Sequence, residues 1–180
     1  MSNTPTTEDI LTAKAAIHEE NTESDHQYLT FRLEQQLYGV PINYVEQIIN
    51  MQEVIEVPGY PPYAKGIVNL RGSIVPILDL RMRLGRTEGM YTQRTCIVIM
   101  SINDQQMGYI VDEVDAVVVV SNKQIEPPPH MRDVSEDKRY LTGIAKLPGE
   151  NGVGEKIVLC LEPTKIELEE RYKGSANQAV

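Results

Sequence analysis

Short apolar segments that alternate with polar residues recur along the chain between residues 28 and 170. Residues 28–33, YLTFRL, and 37–42, LYGVPI, alternate on either side of a QQ pair, which predicts a β-hairpin. Further strand candidates, bounded mainly by glycine, proline or polar residues, are YVEQII, SIVPILDL, RTCIVIM, MGYIVDEV, AVVVV and KIVLCL. Helical periodicity is clearest over 163–173, so the pattern predicts an all-β protein with a C-terminal helix.

The chain contains an internal repeat. Residues 31–48 resemble residues 99–117, since both run from a strand through QQ, an apolar residue and glycine to Val-Glu or Val-Asp. Residues 66–72 then align with 143–149, and an apolar strand follows each of them. Two matching patches in the same order indicate that one β-unit is used twice.

This duplication predicts two similar lobes, at roughly 28–85 and 94–170. The duplication also separates structural residues from candidate functional residues. A residue that differs between the two copies is not required by the shared fold, so it is more available for a function such as binding. Arg71 stands where the second copy has Pro148, and Asn69 also differs from its equivalent. The turn around Asn69 and Arg71 is therefore the first place to look for a function.

The ends of the chain have a different composition. Residues 1–27 hold six acidic residues against one lysine. Their only apolar cluster is around Ile10, Leu11 and Ile17. This composition predicts an acidic, disordered tail, with at most a marginal helix over 8–19, that folding does not require. Residues 171–180 are small and polar at their end and are predicted to fray.

Composition and charge exclude several classes of function. Hydrophobic residues make up 41% and charged residues 24%, as in globular domains. The net charge of −9 and the absence of tryptophan argue against binding nucleic acid. No apolar run approaches the roughly 20 residues that a membrane-spanning helix needs. Without a signal peptide pattern at the N-terminus, we expect a cytoplasmic protein.

The residues that carry catalytic chemistry are sparse. Two of the three histidines lie in the acidic tail and the third follows three prolines, so no nucleophile and base are expected to meet. Cys96 and Cys160 lie inside apolar strands and are predicted to be buried, reduced thiols. Asp112, Glu113 and Asp115 are close in sequence, but neighbours on a strand point to opposite faces. The sequence therefore predicts no enzymatic activity, no cofactor and no metal site.

One segment reverses the overall charge. Residues 65–86 contain a single acid, Asp79, and five basic residues: Lys65, Arg71, Arg81, Arg83 and Arg86. Positive charge on an acidic chain is typical of a surface that binds an acidic partner. An ordinary solvated helix face explains the last three arginines equally well. Arg71 differs from them because it lies beside glycine in a turn that leads into an apolar strand.

Residues 66–81, GIVNLRGSIVPILDLR, resemble the signature of the CheW family, the coupling proteins of bacterial chemotaxis, and the similarity continues in order over roughly 28–168. The resemblance implies two linked five-stranded β-barrels of the SH3 type. It also implies a non-catalytic adaptor that couples chemoreceptors, the methyl-accepting chemotaxis proteins, to the histidine kinase CheA. A related receptor-kinase system, such as one that controls twitching pili, is an alternative that motifs alone do not separate.

The resemblance also implies where partners bind. The helical tip of a receptor is expected in the groove between the lobes, at Val45, Glu46, Ile48, Asn69, Arg71 and Gly72. CheA, through its regulatory domain, and other CheW-type proteins are expected at the barrel ends, at Leu33, Gln35, Tyr38, Ile125 and Met131. The guanidinium of Arg71 is expected to face carboxylates, with Glu46 holding it in place. Receptors are then expected to recruit the cytoplasmic protein to the inner face of the membrane.

Overall fold

A computed structural model describes residues 4–19, 25–129 and 140–176. The α-helices are α1 (Thr7–Glu19), α2 (Leu80–Arg83) and α3 (Glu170–Ala176). The strands are β1 (Asp25–Leu33), β2 (Gln36–Pro41), β3 (Val45–Asn50), β4 (Ala64–Leu70), β5 (Ser73–Asp79), β6 (Cys96–Ile102), β7 (Gln105–Val111), β8 (Glu113–Ser121), β9 (Ile125–Glu126), β10 (Leu141–Pro148) and β11 (Glu155–Leu161). The predicted β fold with a few short helices is confirmed.

The strands form two sheets that each combine both halves of the sequence. One sheet has the order β8-β1-β2-β11-β10-β9 and the other β3-β6-β7-β5-β4. The hairpin β1–β2 pairs with β8 and β11, and the hairpin β6–β7 pairs with β3 and β5. Neither sheet therefore coincides with a contiguous lobe at 28–85 or 94–170. The alternating pattern identifies strands, but it does not specify which distant strand each one pairs with.

The internal repeat reappears as a symmetry between the sheets. Replacing each strand by its repeat equivalent converts the order β8-β1-β2-β11-β10 into β3-β6-β7-β5-β4. The sixth strand, β9, has two residues and pairs with β10. Its counterpart in the five-stranded sheet is a single bridge between Ile55 and Ile67. The expected count of five strands thus holds for one sheet, and the other has six.

Apolar side chains form three clusters. The largest draws on both sheets and includes Leu29, Val45, Leu78 and Tyr109. Each sheet also has a smaller cluster of its own, formed by side chains from its strands. Cys96 and Cys160 are both buried as predicted, and this burial raises the pKa of each thiol to about 11. Both thiols are therefore protonated at neutral pH.

The N-terminal segment is folded against this core. The side chain of Ile10 in α1 is 0% exposed and belongs to the largest cluster, whereas its neighbour Leu11 is 58% exposed. The side chain of Ile17 lies outside the described residues. The helix that the sequence predicted as marginal over 8–19 is thus present at 7–19, and the prediction that this stretch is a solvated, disordered tail is corrected. The average composition of a segment does not reveal one apolar side chain that reaches a core made by distant strands.

We expect Ile10→Ala to lower the free energy of unfolding by about 1 kcal/mol, because it removes a buried side chain from the largest cluster. Leu11→Ala is the matched control, since it removes an exposed side chain of the same size, and its effect should stay below about 0.5 kcal/mol. Urea denaturation of both variants measures the difference. Equal losses in the two variants would show that α1 does not contribute to the core.

The C-terminal helix begins later than the sequence predicts. Instead of one helix over 163–173, a 3-10 turn at Pro163–Lys165 is followed by α3, which extends into the segment predicted to fray. Between them, Ile166 and Leu168 are both buried in the largest cluster. A spacing of two residues cannot place both side chains on one face of a helix. Packing onto the core therefore overrides the helical periodicity here.

Candidate functional site

A two-residue turn joins β4 to β5. Leu70 and Ser73 pair across it, so the turn consists of Arg71 and Gly72. Both have positive φ, 52° and 90° respectively, as tight type I′ hairpin turns require. Glycine adopts this conformation freely, whereas arginine does so at a cost. The backbone N–H of Gly72 donates to Asn69 Oδ1 at 2.9 Å, which stabilises the turn.

The side chain of Arg71 is exposed and differs from the other basic residues of its segment. Those four are held by acceptors of the chain itself: Arg81 by Asp112, Arg83 by the carbonyl oxygens of Lys165 and Glu167, Arg86 by Glu34 and Lys65 by Glu88. In the part of the chain that the structure describes, Arg71 has neither an ion pair nor a side-chain hydrogen bond. Of the five basic residues in 65–86, Arg71 is therefore the one that remains as a candidate for binding an acidic partner.

The topology brings five of the predicted receptor-binding residues to one end of the five-stranded sheet. Because β5 runs parallel to β7, the β4–β5 turn and the β6–β7 turn lie at the same end. Strand β3 is antiparallel to β6, so it begins at this end as well. Val45 and Glu46 on the edge strand β3 share this end of the sheet with Asn69, Arg71 and Gly72, which lie beside the opposite edge strand β4. The carboxylate of Glu46 does not hold Arg71 as expected, because it accepts a hydrogen bond from Gln106 Nε2.

The sixth predicted receptor-binding residue, Ile48, lies further along β3 and is half-buried. This strand is the edge of its sheet, and α1 covers the edge. The hydroxyl of Thr7 donates to the carbonyl oxygen of Ile48 and also accepts from its N–H, both at 3.3 Å. One side chain of α1 thus satisfies both backbone groups of this edge residue.

The sequence pattern allowed a marginal helix over 8–19 but did not reveal that it docks on the core, although the chain carries a signal for its start. Thr6 and Asp9 have the spacing of a capping box. In the structure, Asp9 Oδ2 accepts from the N–H of Thr6 at 2.6 Å, and Thr6 Oγ1 accepts from the N–H of Asp9 at 3.3 Å. The hydrogen bonds that Thr6 donates to this carboxylate, from its backbone N–H and its hydroxyl, lower the pKa of the Asp9 carboxyl. The signal predicts where the helix begins, but not the surface on which it docks.

The predicted kinase-binding residues are not brought to one surface. Leu33 is 0% and Tyr38 4% exposed, and both belong to the largest apolar cluster. Gln35 is exposed in the β1–β2 turn, and Ile125 is half-buried in the short edge strand β9. Met131 lies outside the described residues. Of the predicted set, Gln35 and Ile125 are thus the described residues that a partner can reach directly.

Charged side chains also connect α2 to the β1–β2 turn, which the sequence did not reveal. Arg81 Nε donates to Asp112 Oδ1 at 2.8 Å, and these hydrogen bonds raise the pKa of Arg81. Arg81 in α2 and Arg86 just after it both pair with Glu34, which lies in the β1–β2 turn of the other sheet. These contacts join residues far apart in sequence, so local patterns do not predict them. They hold the β1–β2 turn against the five-stranded sheet.

The described residues contain no group of three or more His, Cys, Asp or Glu side chains that could hold a metal ion. Within the same ranges, the helices are all too short or too polar to cross a membrane. The features that remain as a candidate site are the Arg71 turn, the start of β3 and the strand edge under α1. Such features suit recognition of another macromolecule.

A family model described as a CheW-like domain matches residues 27–169. The chain belongs to the CheW family. It is 31% identical over 140 residues to the chemotaxis protein CheW of Klebsiella aerogenes, covering 78% of this chain and 80% of that protein. It is 29% identical to the probable chemotaxis protein CheW of Rhizobium etli, covering 87% of this chain and 94% of that protein.

A solved CheW structure has the same fold. The scaffolding protein TtCheW from Thermoanaerobacter tengcongensis is 30% identical and superposes with a TM-score of 0.66, covering 76% of this chain and 88% of that one. The similarity to this solved structure accounts for the β-architecture described above. The chain is a coupling adaptor in chemotaxis, and these relatives do not favour the alternative of a system that controls pili.

Proposed function

We propose that this CheW-family chain couples chemoreceptors to the histidine kinase CheA by binding the helical tip of a receptor at the end of the five-stranded sheet. The observation that carries the proposal is Arg71, an exposed arginine with a φ of 52° and no partner within the described chain. An arginine in this conformation costs on the order of 1 kcal/mol compared with glycine. A strained residue without a structural role is a candidate for function.

The chemistry of Arg71 suits a carboxylate on the receptor. A guanidinium presents its N–H groups as a planar fork that matches the two oxygens of a carboxylate. Such a bond fixes the register of a partner helix, while affinity comes from apolar contacts along the groove. Ile48, half-buried on the opposite edge strand β3, is the apolar contact that we propose further along the same receptor helix.

Kinase binding is assigned to different surfaces. We place the regulatory domain of CheA, and other CheW-type proteins, near Gln35 in the β1–β2 turn and Ile125 in β9. The buried residues Leu33 and Tyr38 would support the shape of this turn from within. Weak contacts at separate surfaces suit an adaptor, because several of them acting together give high overall affinity. The adaptor then works in the cytoplasm, beneath the receptors in the membrane, and carries out no catalysis.

A three-component titration tests the proposal. We expect the purified chain to bind both a receptor fragment that carries the helical tip and the regulatory domain of CheA. Because the two surfaces are separate, saturating receptor fragment should change the dissociation constant for the kinase domain by less than about twofold. A ternary complex should then elute as one species in size-exclusion chromatography. Mutual exclusion of the two partners, or failure to bind either, would contradict the coupling function.

A further inference from the structure

Helix α1 spans from the edge strand of one sheet to the edge strand of the other. It packs on β3, which ends the five-stranded sheet, and on β8, which ends the six-stranded sheet. It also contacts the 3-10 turn Ile42–Tyr44 that leads into β3. These three elements form a groove, called here the inter-sheet groove. The chain's own N-terminal helix occupies it.

The helix binds this groove through one face. Ile10 is fully buried in the largest cluster, and Ala13 packs beside it while partly buried. Thr7, one turn earlier, binds the backbone of Ile48. Residues 7, 10 and 13 are spaced as one face of a helix, and the remaining side chains from Glu8 to Thr12 are exposed. This arrangement is a helix-in-groove contact made within one chain.

Among the described side chains of α1, few anchor it in the groove. One fully buried side chain and two hydrogen bonds of 3.3 Å hold the described part of α1 to the edge strand. A helix of 13 residues is only marginally stable by itself in water, so it forms when docked and melts when released. A partner helix that makes contacts of similar strength can therefore displace α1.

The groove that α1 fills overlaps the receptor site proposed above. Ile48, bound by Thr7, is one of the proposed receptor contacts. Val45 and Glu46 precede it on β3, and the turn 42–44 that α1 also touches precedes them in the chain. A receptor helix that reaches Ile48 from the Arg71 end of the sheet therefore meets α1 in its path.

We propose that α1 is an internal competitor of the receptor helix and must leave the inter-sheet groove before the receptor can occupy it fully. The inference rests on the proposed function and adds a regulatory step to it. A receptor helix would replace the contacts of Thr7, Ile10 and Ala13 with its own. If α1 is docked in about nine molecules out of ten, the apparent affinity for the receptor falls about tenfold.

The test compares Ile10→Asp with Leu11→Asp in the full-length chain. Aspartate at position 10 cannot stay in the apolar cluster, so α1 is released, whereas the exposed position 11 accepts the same charge. Titration with a receptor fragment that carries the helical tip should give about tenfold tighter binding for Ile10→Asp than for the wild type. Leu11→Asp should stay within about twofold of the wild type. Melting curves report whether each variant is folded.

A second measurement does not depend on the stability of these variants. In the wild-type chain, hydrogen exchange of the α1 amides should become faster when the receptor fragment saturates the protein, because the displaced helix melts. This result is not expected if α1 only stabilises the fold.

The outcomes separate the inference from the function on which it rests. If neither the wild type nor Ile10→Asp binds the receptor fragment, the proposed function fails. If both bind equally and α1 exchange is unchanged by receptor, the function stands and the competition is overturned. Weaker binding by a folded Ile10→Asp variant would also overturn it, because α1 would then belong to the receptor-binding surface.

Discussion

Arg71→Glu is expected to weaken binding of the receptor tip by roughly 1.5–3 kcal/mol, the scale of a lost hydrogen bond to a charged partner, with like-charge repulsion adding to the loss. The fold should survive the change. Arg71 is exposed, has no partner in the described chain, and occupies a turn whose repeat equivalent carries Pro148. Binding of the CheA regulatory domain should be nearly unchanged, because its proposed surfaces lie elsewhere.

Paired titrations of the wild type and Arg71→Glu against both partners, with melting curves alongside, measure these effects. Arg171→Glu is the matched control, since it makes the same change of charge in α3, where the side chain is 68% exposed. It should leave receptor binding within about 0.5 kcal/mol of the wild type. If Arg71→Glu loses affinity for both partners equally and melts at a lower temperature, Arg71 is a structural residue.

Gly66→Ala is expected to destabilise the fold by about 4 kcal/mol or more, which places it among the largest effects of a single substitution. Gly66 has a φ of +143°, and a Cβ atom there would lie 2.0 Å from the carbonyl oxygen of Ile55. That carbonyl accepts from the N–H of Ile67 at 2.9 Å in the bridge beside β4. The backbone would have to separate at this point, since no side-chain rotation relieves the overlap.

Gly85→Ala separates the cost of close contact from the cost of conformation. Gly85 also has positive φ, +78°, but an added Cβ would meet no atom within 4 Å. Its substitution should cost only about 1–2 kcal/mol, the penalty of a left-handed conformation. Soluble yield and melting temperature of the two variants give the comparison. Similar losses in both would show that the bridge between Ile55 and Ile67 contributes little to stability.

Several properties of this protein follow from the sequence by itself. Alternating apolar residues gave the β fold, and the internal repeat predicted the symmetry that relates the two sheets. The same repeat paired Gly66 with Gly143 as backbone positions, and at Gly143 an added Cβ would lie 2.5 Å from Ile125 Cγ2. The contrast with Pro148 identified Arg71 as a candidate, and its role stays a prediction. The inferences about the strands and glycines succeed because strand alternation and turn chemistry depend on residues that are close together in the chain.

Only the tertiary structure decided which surfaces these residues form. The hairpin β1–β2 pairs with strands of the second half of the sequence, and β6–β7 pairs with strands of the first half. Glu46 accepts a hydrogen bond from Gln106, and Tyr38 is buried in the core. Helix α1 also docks on β3 through Ile10, although the composition of residues 1–27 predicted a solvated tail. Each outcome depends on contacts between segments far apart in sequence. Strand partners and the burial of a single side chain are set by such contacts, which no local pattern encodes.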